Sequence, residues 1–297
     1  MADKTGIDWT DATWNPIVGC SIVSPGCTNC YAMKQAHRLL DRPGSHYEGT
    51  TKQSNGGAVW TGKIGVAPDH IFYQPLRWQR PRNIFVNSMG DVFHDQIPDE
   101  LIDRVFGVMA LARQHTFQLL TKRSARMRDY MNNTTLAGRI FCAVQDVAAL
   151  MGMKGPERIV LPTPNVWLGV SVEDQARADE RIPHLIETPA EVRFLSCEPL
   201  IGPVDLSPFL GDPRKQFYNP GDREHPARST RYEYPFLSHK DWIICGGESG
   251  QNARDMNPDW ARKMRDDCKA AAVPFFMKQM AHKAEIPADL FVREWPL

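Results

Sequence analysis

Charge of either sign is missing from the balance of this chain. Its 35 Lys and Arg residues are matched by 35 Asp and Glu residues, and the pI is about 7.1. That excludes a bulk field that would coat nucleic acid or cling to an anionic membrane surface, although it leaves room for a local basic groove. Long apolar runs are missing too, and nothing approaches the roughly 18 apolar residues of a membrane span. The opening MADKTGIDWTDATWNP has neither a basic start nor an apolar stretch, so no targeting segment is read there and a cytoplasmic, membrane-free protein is expected. Internal repeats and low-complexity runs are absent. With 297 residues, 42% of them hydrophobic, the chain can bury a core without disulfides. In a reducing compartment its seven cysteines read as metal ligands, reactive thiols or core residues.

What is present is a series of short apolar, β-rich runs. They are WNPIVGC (14–20), IFVNSMGD (84–91), TFQLLTKR (116–123), VWLGVSVED (166–174), VRFLSCEP (192–199), WIICGGESG (242–250) and PFFMKQ (274–279). The first six are clear and the seventh is an optional addition. Between them lie helical patterns: 99–114 has apolar residues near a 3.6 period behind Pro98, and 258–273 repeats the design behind Pro258. Alternation of this kind predicts a parallel sheet with crossover helices, buried on both faces. Nearly every strand ends in polar groups, which is how a (β/α) barrel furnishes its mouth. The expectation is a single α/β domain over 1–297, a partial TIM-type (β/α)6 barrel. Long loop insertions are expected near 41–63, 129–165 and 211–240, where Gly, Pro and charge concentrate.

After the first strand comes GCSIVSPGCTNCYA, with Cys20, Cys27 and Cys30 in a C-x6-C-x2-C pattern. One reading is a structural zinc clip completed by His37, although the usual second C-x-x-C or His pair is missing. The other is a four-iron four-sulfur cluster held through three irons, leaving the fourth for a ligand. The position of the loop, at the mouth of the expected barrel, favours the cluster. The remaining cysteines, Cys142, Cys197, Cys245 and Cys268, are scattered and read as small buried hydrophobes.

A strand followed by three cysteines, the last joined directly to an aromatic and a helix (CTNCYAMKQAHRLL), resembles the radical S-adenosylmethionine superfamily, with a first cysteine gap three residues longer than usual. GCxxxxxGCxxCYA is similar to the cysteine loop of its spore photoproduct lyase-like branch. Over nearly its whole length the chain resembles a phage- and prophage-associated family of unassigned function, through WNPIVGC, CTNCYA, FVNSMGDVFH, FQLLTKR, NVWLGVSVEDQ, RFLSCEPLIGPV, GGESGQNAR and PFFMKQ.

The superfamily resemblance implies an enzyme in which cluster-bound S-adenosylmethionine is cleaved to a deoxyadenosyl radical that acts on a substrate. Cys20, Cys27 and Cys30 would be the metal ligands, and Tyr31 would pack on the cluster or adenine. Ser88 and Asp91 would stand where the superfamily receives the methionine ammonium, and Ser171 and Glu173 would meet ribose hydroxyls. An electron donor is implied, and nucleic acid or nucleotide is the analogy for the substrate. The strand ends themselves add Lys122 and Arg123 for an anion, and Glu198 and Glu248 as mouth carboxylates with catalytic potential. Ser249 and Arg254 would form a substrate patch with Glu248, and Lys278 and Gln279 would close the ring.

Plainer readings stand beside these. Ser171 or Glu173 would merely open a helix, and His94 would be a helix-start or surface residue. Trp9, Trp14, Trp60 and Trp78 would be core or, if exposed together, a base-stacking cluster. Two other function classes remain. One is a hydrolase or nuclease with Asp91, Glu173, Glu198 and Glu248 around a divalent metal. The other is a noncatalytic phage accessory protein with a structural zinc.

Overall fold

Seven apolar segments align side by side in their order along the chain. They are β1 (Ala12–Trp14), β2 (Asn83–Val86), β3 (Thr116–Thr121), β4 (Val166–Ser171), β5 (Val192–Cys197), β6 (Trp242–Gly246) and β7 (Phe275–Gln279), each parallel to the next. The structure is a computed structural model describing residues 5–40, 44–211, 236–250 and 252–296. Parallel neighbours require the chain to return between strands. The return is helical through α1 (Tyr31–Leu39), α2 (Asp99–Leu111), α3 (Ser124–Met131), α4 (Leu136–Leu150), α5 (Gln175–Ile186) and α6 (Pro258–Ala271). The result is an α/β architecture with a curled, half-barrel sheet of seven strands, one more than the expected six-stranded core.

Alternation along the strands divides the interior in two. Ile84, Val86, Leu195, Cys197, Ile243, Cys245, Phe275 and Met277 join the large cluster that includes the buried faces of α2, α4, α5 and α6. The intervening Phe85, Phe194, Trp242, Ile244 and Phe276 meet Trp9 in a second cluster. That second cluster is mostly aromatic: Trp9 lies 4.8 Å from Phe85 and 6.4 Å from Trp242, which stacks on Trp295 at 4.6 Å. The rings fill the amino-terminal part of the sheet's inner face, so the polar strand ends stand above an apolar floor. Trp9, Trp14 and Trp60 are therefore core residues and not a base-stacking surface, while Trp78 is half-buried beneath the Arg82 guanidinium.

Several expected boundaries move, each for a local reason. The first run does not continue to residue 20 in the sheet, because Pro16 has no N–H for the ladder. Ile17–Val18 instead pairs antiparallel with Gly65–Val66. The 41–63 insertion contains a hairpin, Thr51–Ser54 with Gly57–Trp60, and Trp60 packs with Ala32, Met33 and Ala36 of α1. The 129–165 insertion is not a loop, since α4 occupies much of it. Leu136, Ile140, Val144, Val147 and Ala148 make one buried stripe at helical spacing. A Cβ on Gly107 of α2 would stand 3.1 Å from the Ala143 carbonyl oxygen, so this glycine lets the two helices approach. The 211–240 insertion lies mostly outside the described residues. Finally, β4 stops at Ser171, and Asp174 caps α5 by accepting from the Arg177 amide, so neither Ser171 nor Glu173 opens that helix.

Candidate active site

A cavity of about 240 Å³ opens at the carboxyl ends of the strands. Its floor is apolar, formed by Ile7, Trp9, Phe85 and Leu120, and its walls carry Cys20, Cys27, Cys30, Tyr31, Ser88, Asp91, Lys122, Ser171, Glu198 and Glu248. These ten wall residues, all named from the sequence, thus share one space. Glu173, named with them, is fully buried behind the wall. Arg123, Ser249, Lys278 and Gln279 also line the cavity, whereas His37, His94 and Arg254 do not.

The cysteine loop crosses the mouth and is tied to the ends of four strands. Cys20 Sγ accepts from Arg123 Nη1 at 3.7 Å, and the neighbouring Ser21 hydroxyl contacts Arg123 Nη2 at 2.6 Å and His94 Nε2 at 3.0 Å. The Gly26 amide donates to Glu173 Oε1 at 3.4 Å, and a Cβ there would crowd that carboxylate and Lys122 Nζ. Asn29 Nδ2 donates to Glu248 Oε2 at 2.9 Å and to the Asn252 carbonyl at 2.8 Å. The Tyr31 hydroxyl donates to the Ser88 carbonyl at 3.1 Å. Burial pushes the Cys20 thiol up to about 12, with Asp91 adding to the shift and Arg123 opposing it. Burial likewise raises Cys30, and the charge of Cys27 reaches both of its partners. Metal binding at these thiols therefore has to release protons.

Each mouth carboxylate already has a cation. Asp91 meets Arg123 at 3.0 Å, Glu198 meets Lys278 at 2.9 Å, and Glu248 meets Arg254 at 2.7 Å. Glu173 meets Arg181 at 3.0 Å and, more distantly, Lys122 at 3.4 Å. Burial raises the Glu173 carboxyl, but Lys122 and Arg181 outweigh it and the net shift is downward. Glu248 is lowered in the same way, burial being overcome by Arg254 and Asn29. Asp91 accepts four bonds: Thr121 Oγ1 and the Phe93 amide on Oδ1, and the Lys122 amide and Arg123 on Oδ2. A carboxylate offers about four lone-pair positions. The ammonium-acceptor role expected of Asp91 therefore has no lone pair to use, and the residue anchors Arg123 beside Cys20.

Among the described residues, no three His, Cys, Asp or Glu side chains are gathered closely enough to hold a single metal ion. The His37 ring nitrogen instead pairs with Thr51 Oγ1 on the hairpin, at 3.2 Å, so the four-ligand zinc clip is not assembled. The four paired carboxylates do not converge on a divalent ion either. Sequence reasoning missed Asn29 and Ser21, because their partners lie far away in the chain, and Arg181, which reaches back from α5 to Glu173 just before the helix. The only local sign was that polar Asn29 stands between two candidate ligands.

A family described as a protein of unknown function (DUF5131) matches residues 4–289. The chain belongs to that family. No curated protein and no solved structure matches it. Among the described residues no helix is long and apolar enough to cross a membrane.

Proposed function

We propose that this protein is an iron-sulfur enzyme of the radical S-adenosylmethionine type, built on a partial (β/α) barrel. The reading rests on one observation: Cys20, Cys27 and Cys30 line a single open cavity at the carboxyl ends of a parallel half-barrel, where substrate-binding groups gather. Three thiols with a fourth position left open suit a four-iron four-sulfur cluster held through three of its irons. A four-iron four-sulfur cluster bound there would deliver the electron that cleaves S-adenosylmethionine, giving a radical that takes a hydrogen atom from the substrate.

The residues divide the remaining work. Cys20, Cys27 and Cys30 lose their protons to hold the cluster, and Arg123 offsets the negative charge that gathers at Cys20. Lys122 has donors to spare, since Glu173 is held more closely by Arg181, and it faces the cavity as the partner for a ligand carboxylate. Ser88, Ser171 and Ser249 offer hydroxyls for ribose. The floor of Ile7, Trp9, Phe85 and Leu120 keeps water from the reacting atoms. The substrate class, by analogy, is a nucleotide or nucleic acid.

The test uses protein purified without oxygen. Iron and sulfide are measured first, followed by the electron paramagnetic resonance spectrum of the reduced protein with and without S-adenosylmethionine. The expected result is about four irons per chain and a signal that changes with S-adenosylmethionine. Zinc at one per chain without iron would overturn the reading.

A further inference from the structure

Glu248 stands at the mouth as an acid or base would, yet four donors already hold it. Its Oε2 accepts from the Arg254 amide at 2.8 Å, from Arg254 Nε at 3.0 Å and from Asn29 at 2.9 Å, and its Oε1 accepts from Arg254 Nη2 at 2.7 Å. The carboxylate is 6% exposed, and its proton affinity is lowered despite burial. A carboxylate gripped by a guanidinium in this way is held ionised and does not donate a proton readily. It does hold Asn29, the residue between Cys27 and Cys30. The same amide nitrogen also donates to the Asn252 carbonyl, so a single side chain carries two bonds to the segment after β6. That segment is itself fastened to β7: the Gly247 amide donates to the Gln279 carbonyl at 2.9 Å, and Gln279 Nε2 donates back to the Gly247 carbonyl at 2.8 Å. A Cβ on Gly247 would lie 2.2 Å from the Ala281 nitrogen, so only glycine allows this fastening.

We infer that Asn29, Glu248 and Arg254 form a clasp that closes the mouth between the first and last strands and sets the spacing of Cys27 and Cys30. Glu248 is then a positioning residue and not a catalytic one. The curled sheet supplies no β1–β7 ladder, and the cysteine loop bridges the two sides instead. The clasp deepens the iron-sulfur reading and rests on it for its purpose, but its existence is measured separately.

The experiment compares full-length wild type with Asn29→Ala, Glu248→Gln and the double variant. Iron is measured on protein purified without oxygen, together with its rate of loss to a chelator. Each cysteine of the chelated chain is then scored by mass spectrometry for its rate of alkylation. Exposed Cys142 serves as the internal reference, and buried Cys197, Cys245 and Cys268 report on the core. The expected result is that Asn29→Ala and Glu248→Gln each raise alkylation of Cys27 and Cys30 by about tenfold relative to Cys142, as loss of a charge-assisted bond implies. The double variant should add little more, because one interaction is removed twice. Chelation of iron should accelerate in parallel. Unchanged rates at Cys27 and Cys30 would overturn the clasp. Equal acceleration at Cys197, Cys245 and Cys268 would also overturn it, since the residues would then support the fold at large. A wild type without iron would defeat the iron-sulfur reading alone, and the alkylation rates would still decide whether the clasp exists.

Discussion

Two trios of cysteines, drawn from the same chain, end in opposite surroundings. Cys20, Cys27 and Cys30 are neighbours in sequence and line an open cavity beside Arg123 and Lys122. Cys197, Cys245 and Cys268 are far apart in sequence, yet the first two are register partners on β5 and β6 and all three lie in the apolar cluster shared with α6. Burial raises all three core thiols well above their ordinary value, with no cation among the causes. At Cys20 a guanidinium opposes the rise. The difference teaches that proximity of sulfurs is not what makes a ligand set. Access and a compensating cation favour a thiolate, and between these two trios the loop has both.

The contrast can be broken most severely through the charges that support the loop. Glu173→Ala leaves Arg181, whose side chain is 2% exposed, without its buried carboxylate, the exposed Glu180 standing 3.9 Å away. Such a loss is worth about 3–5 kcal/mol of stability, measurable by urea unfolding. A loss below about 1 kcal/mol would mean that water or Glu180 replaces the pair. Next in size is a direct exchange between the trios. Cys245→Ala removes a sulfur from a packed core and should cost about 1 kcal/mol while retaining iron. Cys27→Ala should do the reverse, removing the iron with little change in the unfolding midpoint. Iron retention in Cys27→Ala would break the ligand assignment.

A smaller effect is expected with pH. Because the folded-state value of Glu173 lies below its ordinary 4.5, the unfolded chain binds its proton more tightly. Its contribution is complete above that ordinary value and is lost as pH falls through the folded one. Wild type should therefore lose more stability than Glu173→Gln between neutral pH and the acid range. Identical acid sensitivity in the two proteins would show that other carboxylates dominate there.

The legible part of the fold was the part governed by local period. Each apolar run became a strand or flanked one, and polar groups at the strand ends were enough to gather ten of the named residues around one cavity. The stripe of α4 is equally periodic, but the Gly, Pro and charge that flank it within 129–165 mask it in the composition of that segment. Pro16 stands in the middle of the first run, where an apolar pattern alone hides the break it makes in the ladder. Glu198 was recognised as needing a partner because an unpaired buried carboxylate is costly. Its partner, Lys278, sits eighty positions away.

From its own letters, then, the chain determined an alternating α/β order, an apolar sheet core and a cysteine loop placed after the first strand, because turn residues, strand period and helix period act over short distances. Only tertiary structure decided which side chains from distant parts of the chain meet: Asp91 with Arg123, Glu198 with Lys278, Asn29 with Glu248, and Cys197 beside Cys245. Those pairings depend on strand order and register. Each is created by closing a long stretch of chain, which no local pattern encodes.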